Sequence, residues 1–297
     1  MRAIVDSTGA DIRFDDVSVT YPNGFTGLKG INLSIPAGEM VGIVGLSGAG
    51  KSTLVRTING LVPITSGRIS VGNHQLTGRG EAQLRGRDLR ELRSNVGMVF
   101  QSFNLARRTT VINNVLMGRL YHSPAWRTLL GAWKNDDVEL AMSALERVEI
   151  VQKAYEKASS LSGGQQQRVA IARTLAQRPK VILADEPVAS LDPPTSHVVM
   201  RDLQRINAEL GITVVVNLHF LDLARRYSDR LIGLRSGEVV FDGPGADADE
   251  SVFESIYGRS LTAEDVLDAK PVLDTEVDLN AEVELDAVVK RGAGSEL

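Results

Sequence analysis

The sequence predicts an α/β protein with a largely parallel main sheet, an antiparallel β region before it and a helical insertion within it. Short apolar runs at 40–44, 181–184 and 213–217 are typical of buried parallel strands. Alternation of apolar and polar residues within 12–35 indicates antiparallel strands. From 103 to 160 apolar residues recur at helical spacing and strand signals are missing, which predicts the insertion.

Length and composition limit the class of protein. The chain has 297 residues, 43% of them hydrophobic, enough for one large α/β domain or two smaller units with a sizeable core. It has no cysteine, which excludes disulfides and thiol chemistry. Acidic residues interrupt the N-terminus and no apolar run reaches about 18 residues, so we expect neither a secretory signal nor a membrane span.

The charge is divided unevenly along the chain. The net charge is −4, but residues 246–297 carry 14 acidic and 4 basic residues, a net of −10 that leaves +6 for residues 1–245. We therefore predict a domain over 1–245 and an acidic C-terminal extension over 246–297. The extension is expected to form one short amphipathic helix near 252–257. Residues 277–285 alternate apolar with mostly acidic positions, and their charge favours a flexible tail. The overall charge gives no reason to expect nucleic acid as a partner.

The antiparallel region contains alternating stretches within 12–19 and 31–35, with a turn at 21–24 between them. Tyr21 begins that turn. An aromatic ring there can stack on an adenine or simply pack within the turn, and the residues alone do not separate these two interpretations.

A phosphate-binding loop is predicted at residues 45–53, GLSGAGKST, which fit the pattern G-x-x-x-x-G-K-[ST] between a strand and a helix ending at Gly60. Glycines let successive N–H groups face one anion, and the helix N-terminus adds partial positive charge. Lys51 is expected to reach the β- and γ-phosphates, and Ser52 to offer its hydroxyl to Mg²⁺. The chain is therefore predicted to bind a nucleoside triphosphate. The residues expected to hold it are Gly45, Ser47, Gly48, Gly50, Lys51, Ser52 and Thr53.

Residues 78–177, which follow the phosphate loop, are expected to be mainly structural, apart from Gln101 and the start of the later helix. Five arginines within 78–95 are expected on a solvated helix face and loop, because no aromatic residues interleave with them as nucleic-acid stacking requires. Gln101 follows a predicted buried strand over 96–100. The helical insertion then spans about 103–177, and Trp126 and Trp133 are expected to pack between its helices.

A second anion site is predicted at 161–165, LSGGQ, where Ser162 fits the N-cap of a helix running to about 177. The first N–H groups of that helix are free to face an anion. The residues expected to take part are Ser162, Gly163, Gly164 and Gln165.

Acidic and histidine side chains follow the later strands. In a protein that holds a triphosphate, Asp185 can hold Mg²⁺, and Glu186 can orient and deprotonate the attacking water. Asp192 is expected to cap a further helix that has proline at its first position. His219 lies two residues beyond strand 213–217, where the carboxyl ends of parallel strands gather and ligands bind.

Taken in this order, the elements resemble the ATPase subunits of ATP-binding cassette (ABC) transporters. The resemblance covers about 12–243 and includes LSGGQ, which is that family's own signature. It implies a P-loop NTPase fold of the ABC ATPase type, with a RecA-like core, an antiparallel β subdomain and an inserted helical subdomain. It also implies ATP and Mg²⁺ as ligands and ATP hydrolysis as the activity. Asn217, where relatives often have serine or threonine, departs from the pattern and is expected to matter little.

The resemblance implies a head-to-tail dimer with two ATP molecules at its interface. Each ATP would lie between 45–53 of one copy and 162–165 of the other. Tyr21 would stack on the adenine, and Asp192 would cross the interface to couple the two sites.

The resemblance also implies roles in hydrolysis. His219 would contact the γ-phosphate and hold the geometry of the water and Glu186. Gln101 would sense the γ-phosphate and link the site to the helical subdomain. The implied catalytic residues are Glu186, His219 and Gln101. The implied metal ligands are Ser52, Gln101 and Asp185.

Three stretches, 115–133, 187–193 and 222–243, resemble phosphonate importer ATPases in particular. They imply a subunit that powers import of phosphonate, phosphate or phosphite through a separate membrane permease. It would lie at the cytoplasmic face of the inner membrane, with a periplasmic or lipid-anchored substrate-binding protein as an indirect partner. Import of another solute, or export, is the alternative. A non-transport ABC ATPase acting on ribosomes or DNA is disfavoured, because such proteins usually carry two cassettes or a long coiled-coil insertion.

Overall fold

The computed structural model describes residues 8–129 and 131–267, which form ten strands and nine α-helices. The strands are β1 Ile12–Thr20, β2 Thr26–Ile35, β3 Met40–Val44, β4 Ser66–Val71, β5 His74–Thr77, β6 Val96–Phe100, β7 Val181–Asp185, β8 Thr213–Asn217, β9 Arg230–Arg235 and β10 Glu238–Pro244. The helices are α1 Lys51–Ile58, α2 Gly86–Asn95, α3 Val111–Leu116, α4 Ala125–Leu129, α5 Asn135–Arg147, α6 Gly163–Ala176, α7 Pro193–Leu210, α8 Leu221–Tyr227 and α9 Glu250–Tyr257.

A small antiparallel sheet has the order β2-β1-β4-β5. The alternating region expected within 12–19 forms one strand, β1, whose register shifts between Phe14 and Val17. Asp16 lies in that irregularity with a positive φ of 51°. A bulge lets one strand carry an interrupted apolar pattern, because the extra residue resets which side chains face the core.

The main sheet has the order β10-β9-β3-β8-β7-β6, and every neighbouring pair except β9–β10 is parallel. Successive residues of its central strands contribute to opposite apolar clusters: on β3, Val41 and Ile43 join one cluster, while Met40 and Val44 join the other. Burial on both faces explains why these strands are continuous apolar runs. One cluster lies against the antiparallel sheet and α1, the other against the remaining helices.

Between β6 and β7 the described chain forms helices and turns, with a single bridge from Thr110 to Lys157. Helices α3, α5 and α6 pack around a buried apolar seam, and a buried ion pair between Arg119 and Asp137 joins the end of α3 to α5. The predicted antiparallel region, parallel core and helical insertion are thus confirmed. The expectation for the tryptophans holds only for Trp133, which packs against the core. Trp126 is 60% exposed, and the Arg127 guanidinium lies over its ring.

Residues 246–267 pack on the same body. The predicted amphipathic helix is present as α9, which buries Phe253, Ile256 and Tyr257 in the core. The compact unit extends to Leu267 and so includes the first part of the predicted extension. The predictions of an alternating stretch at 277–285 and a flexible tail lie outside the described residues. Among the residues that the structure describes, no helix combines the length and apolar character that a membrane crossing requires.

Candidate functional site

The phosphate loop connects buried β3 to the first residue of α1. Its glycines satisfy real steric demands. Gly50 has a φ of 108°, and a Cβ there would lie 2.5 Å from the Gly27 carbonyl oxygen; a Cβ on Gly45 would lie 2.2 Å from the Leu234 carbonyl oxygen. The N-terminus of α1 has no side-chain cap, which leaves its first N–H groups available to a ligand.

Lys51 is buried within the loop that it belongs to. Its Nζ donates to the carbonyl oxygens of Gly45 (2.6 Å) and Leu46 (3.2 Å). Burial lowers the pKa of the Lys51 ammonium, while Glu186 and Asp185 oppose that shift. The ammonium is therefore a desolvated cation inside the loop, where a phosphate oxygen gains most from it.

Three polar side chains from separate elements meet at the end of the main sheet. The Ser52 hydroxyl donates to Asp185 Oδ1 at 2.8 Å, and Asn217 Nδ2 donates to the same oxygen at 2.8 Å and to Ser52 Oγ at 3.2 Å. Arg56 holds the other carboxylate oxygen, with Nε and Nη2 at 2.9 and 2.8 Å from Oδ2. They come together because β7 and β8 are parallel neighbours whose carboxyl ends share one edge.

Glu186 and His219 form the second polar pair at this edge. The imidazole Nε2 of His219 lies 2.7 Å from Glu186 Oε1. Glu186 follows β7 with a left-handed backbone, φ 54°. Such a conformation is uncommon in a residue with a side chain, and strained residues of this kind cluster at functional sites.

The phosphate loop, Glu186 and His219 line one cavity of about 420 Å³. Tyr21 and Phe25 form its aromatic wall, with ring centroids 6.1 Å apart and planes 27° apart. The Tyr21 hydroxyl hydrogen-bonds the Thr53 hydroxyl at 2.9 Å. The cavity thus has an aromatic end, a loop of N–H groups and an acid–histidine pair. Its lining residues are Tyr21, Phe25, Leu46, Ser47, Gly48, Gly50, Lys51, Ser52, Thr53, Glu186 and His219.

The structure does not bring every predicted residue to this cavity. Ser162 and Gln165 form a capping box at the start of α6: Gln165 N–H donates to Ser162 Oγ (3.4 Å), and Ser162 N–H donates to Gln165 Oε1 (3.1 Å). Asp192 caps α7 by accepting from Thr195 N–H at 3.2 Å, and its hydrogen bonds with Thr195 lower the pKa of its carboxyl. Gln101 lies in a different groove, which also contains Gln166 and Ser190.

Three residues of the site were underrated or missed by sequence reasoning. Arg56 gave a weak signal, because a basic residue in the last turn of a helix is ordinary. Asn217 was expected to matter little, yet it is fully buried and bridges Ser52 to Asp185. Phe25 lies four residues after Tyr21, and its 53% exposure is the signal that only the structure supplies.

The oxygen atoms of Ser52 and Asp185 fit Mg²⁺ in part. Within the described chain, no three His, Asp or Glu side chains are grouped closely enough to hold a metal by themselves. Mg²⁺ in nucleotide sites takes one or two protein oxygens and completes its shell with phosphate and water. Asn217 Oδ1 is a buried acceptor without a hydrogen-bond partner among the described residues, so the site also retains an unused polar atom.

Comparison with known proteins gives consistent results. Residues 28–189 match the family model described as ABC transporter. The chain is 55% identical over 256 residues to the phosphonates import ATP-binding protein PhnC 3 of Halalkalibacterium halodurans, covering 86% of this chain and 97% of that protein. It is 56% identical over 256 residues to PhnC of Shouchella clausii, covering 86% and 94%.

Solved structures give the same result. The dimeric post-hydrolysis structure of the ATP-binding cassette MJ0796, bound to ADP and Pi, superposes with a TM-score of 0.68 at 36% identity, covering 80% of this chain and all of that one. The ADP conformation of the cassette MJ1267 superposes with a TM-score of 0.69 at 27% identity, covering 84% and 95%.

Proposed function

Since the chain belongs to the ABC transporter family and is an ATP-binding, ATP-hydrolysing cassette, we propose that it powers import of a phosphonate through a separate membrane permease. The observation that carries the chemistry is the single cavity in which the phosphate loop faces the Glu186–His219 pair. The identity above 50% to PhnC proteins over nearly their full length supports the cargo class.

In the proposed binding mode, ATP lies along the cavity. Its adenine stacks on the aromatic wall formed by Tyr21 and Phe25, since base–aromatic stacking needs only an exposed ring face. Its phosphates accept from the N–H groups of the loop and of the α1 N-terminus, and Lys51 Nζ exchanges a loop carbonyl for a phosphate oxygen.

Glu186 is the proposed general base for hydrolysis. Its carboxylate lines the cavity beside the phosphate loop and can orient a water and take its proton. His219, at 2.7 Å, fixes the orientation of that carboxylate and contacts the γ-phosphate. Mg²⁺, held by Ser52 and Asp185, would neutralise charge developing on the phosphates. Arg56 and Asn217 keep the Asp185 carboxylate aimed at Ser52.

The rest of the site is proposed to come from a second copy of the chain. The exposed N-terminus of α6, at 162–165, would donate N–H groups to the γ-phosphate of ATP bound to the partner. Asp192 would couple the two sites across the interface, and Gln101 would complete the Mg²⁺ and γ-phosphate contacts as the copies close. The dimeric structure of MJ0796 supports this arrangement.

The permease is proposed to dock on the helical insertion, which places the chain at the cytoplasmic face of the membrane. Large apolar side chains are exposed there: Met117, Leu120, Tyr121 and Trp126. Clusters of exposed apolar residues mark protein contacts. A substrate-binding protein would then join the assembly through the permease.

The test is affinity purification of the tagged full chain from detergent-solubilised membranes, followed by mass spectrometry. We expect a polytopic membrane protein in stoichiometric amount. Its associated substrate-binding protein should bind a phosphonate more tightly than phosphite or phosphate. Recovery of ribosomal or DNA-bound partners without a membrane subunit would overturn transport, and tighter binding of an unrelated solute would overturn the cargo.

A further inference from the structure

The segment 249–267, which we term the C-terminal clasp, is anchored firmly on the main sheet. Asp249 caps α9 by accepting from Val252 N–H at 2.9 Å, and Gly258 ends the helix in a left-handed conformation. Ile256 packs so closely on β9 that a Cβ on Gly233 would lie 2.6 Å from its side chain. A second contact is the hydrogen bond that Arg235 Nη1 donates to the Ser255 carbonyl oxygen at 2.9 Å.

The last residue of α9 reaches the catalytic edge of the sheet. The Tyr257 hydroxyl donates to the main-chain carbonyl oxygen of His219 at 3.1 Å. Tyr257 is only 5% exposed, and burial raises the pKa of its phenol well above the ordinary value, which keeps the hydroxyl a donor. His219 lies between β8, which ends at Asn217, and α8, which begins at Leu221, so this bond fixes a loop.

The remainder of the clasp contacts the first turn of α8, just beyond the His219 loop. Arg259 and Asp265 form a paired ionic contact at 2.8 and 2.9 Å, and the Arg259 guanidinium lies 5.5 Å from the centroid of the Tyr257 ring. Leu267 N–H then donates to Asp222 Oδ1 at 3.0 Å, three residues beyond His219. The clasp therefore contacts the His219 main chain through the end of α9 and the start of α8 through Leu267.

We propose that Tyr257 is a positioning residue for ATP hydrolysis, because its hydroxyl holds the His219 main chain so that the imidazole stays against Glu186. The inference rests on the proposed role of His219 at the γ-phosphate. If the Tyr257–His219 hydrogen bond is the same with and without nucleotide, its loss leaves the affinity for ATP unchanged. A shift of the His219 imidazole changes the geometry of the reacting groups and therefore lowers kcat.

The test substitution is Tyr257→Phe, which removes one oxygen and keeps the packed ring. We expect kcat to fall by about threefold to tenfold, the effect of one lost positioning hydrogen bond, while ATP affinity and KM stay within about twofold. The matched control is Tyr227→Phe: Tyr227 is also buried, and its hydroxyl forms a hydrogen bond of 2.9 Å with His197 Nδ1. This control should keep kcat.

Histidine-selective ¹⁵N NMR supplies a readout that general destabilisation does not move. The chain has four histidines, and His219→Gln assigns the signal of interest. Tyr257→Phe should shift the His219 ring signals and leave the other three unchanged. If Tyr257→Phe folds poorly, Asp265→Asn replaces it as the test variant. It weakens the Arg259–Asp265 contact of the clasp but keeps the Tyr257 hydroxyl, and kcat should fall by about twofold.

The possible outcomes separate the inference from the function beneath it. If His219→Gln loses turnover but Tyr257→Phe keeps kcat and the His219 signals, positioning by Tyr257 is wrong. If His219→Gln itself keeps full turnover, the proposed role of His219 is wrong. Equal losses in Tyr257→Phe and Tyr227→Phe would make the effect one of stability and would overturn the inference.

Discussion

The N-termini of α1 and α6 are both candidate phosphate sites, but the chain surrounds them differently. At α1 the first N–H groups lack a side-chain cap, and Lys51, Glu186 and His219 line the adjoining cavity. At α6, Ser162 and Gln165 cap each other at the surface, and residues 162–165 are not among those lining the cavity that contains Lys51 and Glu186.

This difference gives the two helix N-termini different roles in the proposed hydrolysis of ATP. The α1 side holds the groups proposed to bind the triphosphate and to activate water. The α6 side supplies only N–H donors and partial positive charge, which stabilise a phosphate but cannot hydrolyse it. The proposed dimer brings these unlike halves together. Changes in the α1 half should alter turnover and the affinity of each copy for ATP. Changes in the α6 half should weaken assembly and leave the affinity of a single copy for ATP unchanged.

Glu186→Gln should give the largest effect, on the α1 side. Glutamine keeps the shape and can still contact His219, but it cannot accept a proton. Turnover should fall by about 10²- to 10⁴-fold, the usual contribution of a general base, while ATP still binds. ATPase assays and a direct ATP titration check this, with Glu238→Gln on the exposed surface as control. Residual turnover near wild type would assign the proton transfer elsewhere.

Lys51→Ala should come next, with loss of affinity itself. A buried ammonium facing a phosphate makes a charge-assisted contact worth about 1.5–3 kcal/mol, so Kd for ATP should rise by about 10- to 100-fold. Calorimetric titration measures the change. Lys29→Ala, at an exposed ion pair with Glu238, is the matched lysine control and should bind ATP normally. Unchanged affinity in Lys51→Ala would contradict the proposed contact.

Gly163→Asp tests the α6 side. A Cβ at Gly163 has its nearest contact 3.3 Å away at the flexible end of Leu191, and an acid suits the first turn of a helix, so the variant should fold. Its charge would face the partner's γ-phosphate and weaken ATP-dependent dimerisation by about tenfold or more. Affinity of the monomer for ATP should stay normal. Gly163→Asn, neutral and of the same size as the aspartate, is the control; equal dimerisation in both variants would contradict a role in trans.

Asp202→Asn lies outside both halves of the site and should give the smallest effect on ATP binding, acting instead on stability. Asp202 lies on α7, and Arg205 connects it to Glu149 beyond α5. Burial raises the pKa of the Asp202 carboxyl to about 6 from 3.8. A raised pKa means that the folded state binds more protons between about pH 4 and about pH 6, so wild-type stability falls as pH rises through that window.

The asparagine variant lacks this titration. Its free energy of unfolding relative to wild type should therefore be more favourable at about pH 7.5 than at about pH 4.5, by about 1–3 kcal/mol, in thermal or denaturant unfolding. Asp265→Asn is the control. Arg259 holds the pKa of the Asp265 carboxyl below its usual value, so this group stays ionised at both pH values. The difference in unfolding free energy between Asp265→Asn and wild type should therefore hardly change with pH over this range. A flat profile in Asp202→Asn as well would contradict the assigned pKa.

The parts of the site found from sequence are those whose signals are local. The phosphate loop, the acids after β7 and the α6 cap are each contained within about ten residues, where turn and capping rules apply. His219 was found because parallel strands bring their ends to one edge.

The rest depends on contacts between distant residues. Tyr257 meets His219 across 38 positions, and Arg56 meets Asp185 across 129. Periodicity predicts that α9 has an apolar face, but not which loop that face reaches. The same limit explains why the exposure of Trp126 was not predicted. Its place in a helix follows from the local sequence, but its exposure depends on how α4 packs on other elements.

The most direct test of the two-half site is sedimentation of Glu186→Gln with saturating ATP and Mg²⁺, alone and combined with Gly163→Asp. If the α1 half of one copy and the α6 half of another enclose each ATP, the single variant sediments as a dimer and the double variant as a monomer that still binds ATP. A single variant that stays monomeric, or a double variant that dimerises equally well, would contradict a site shared between two copies.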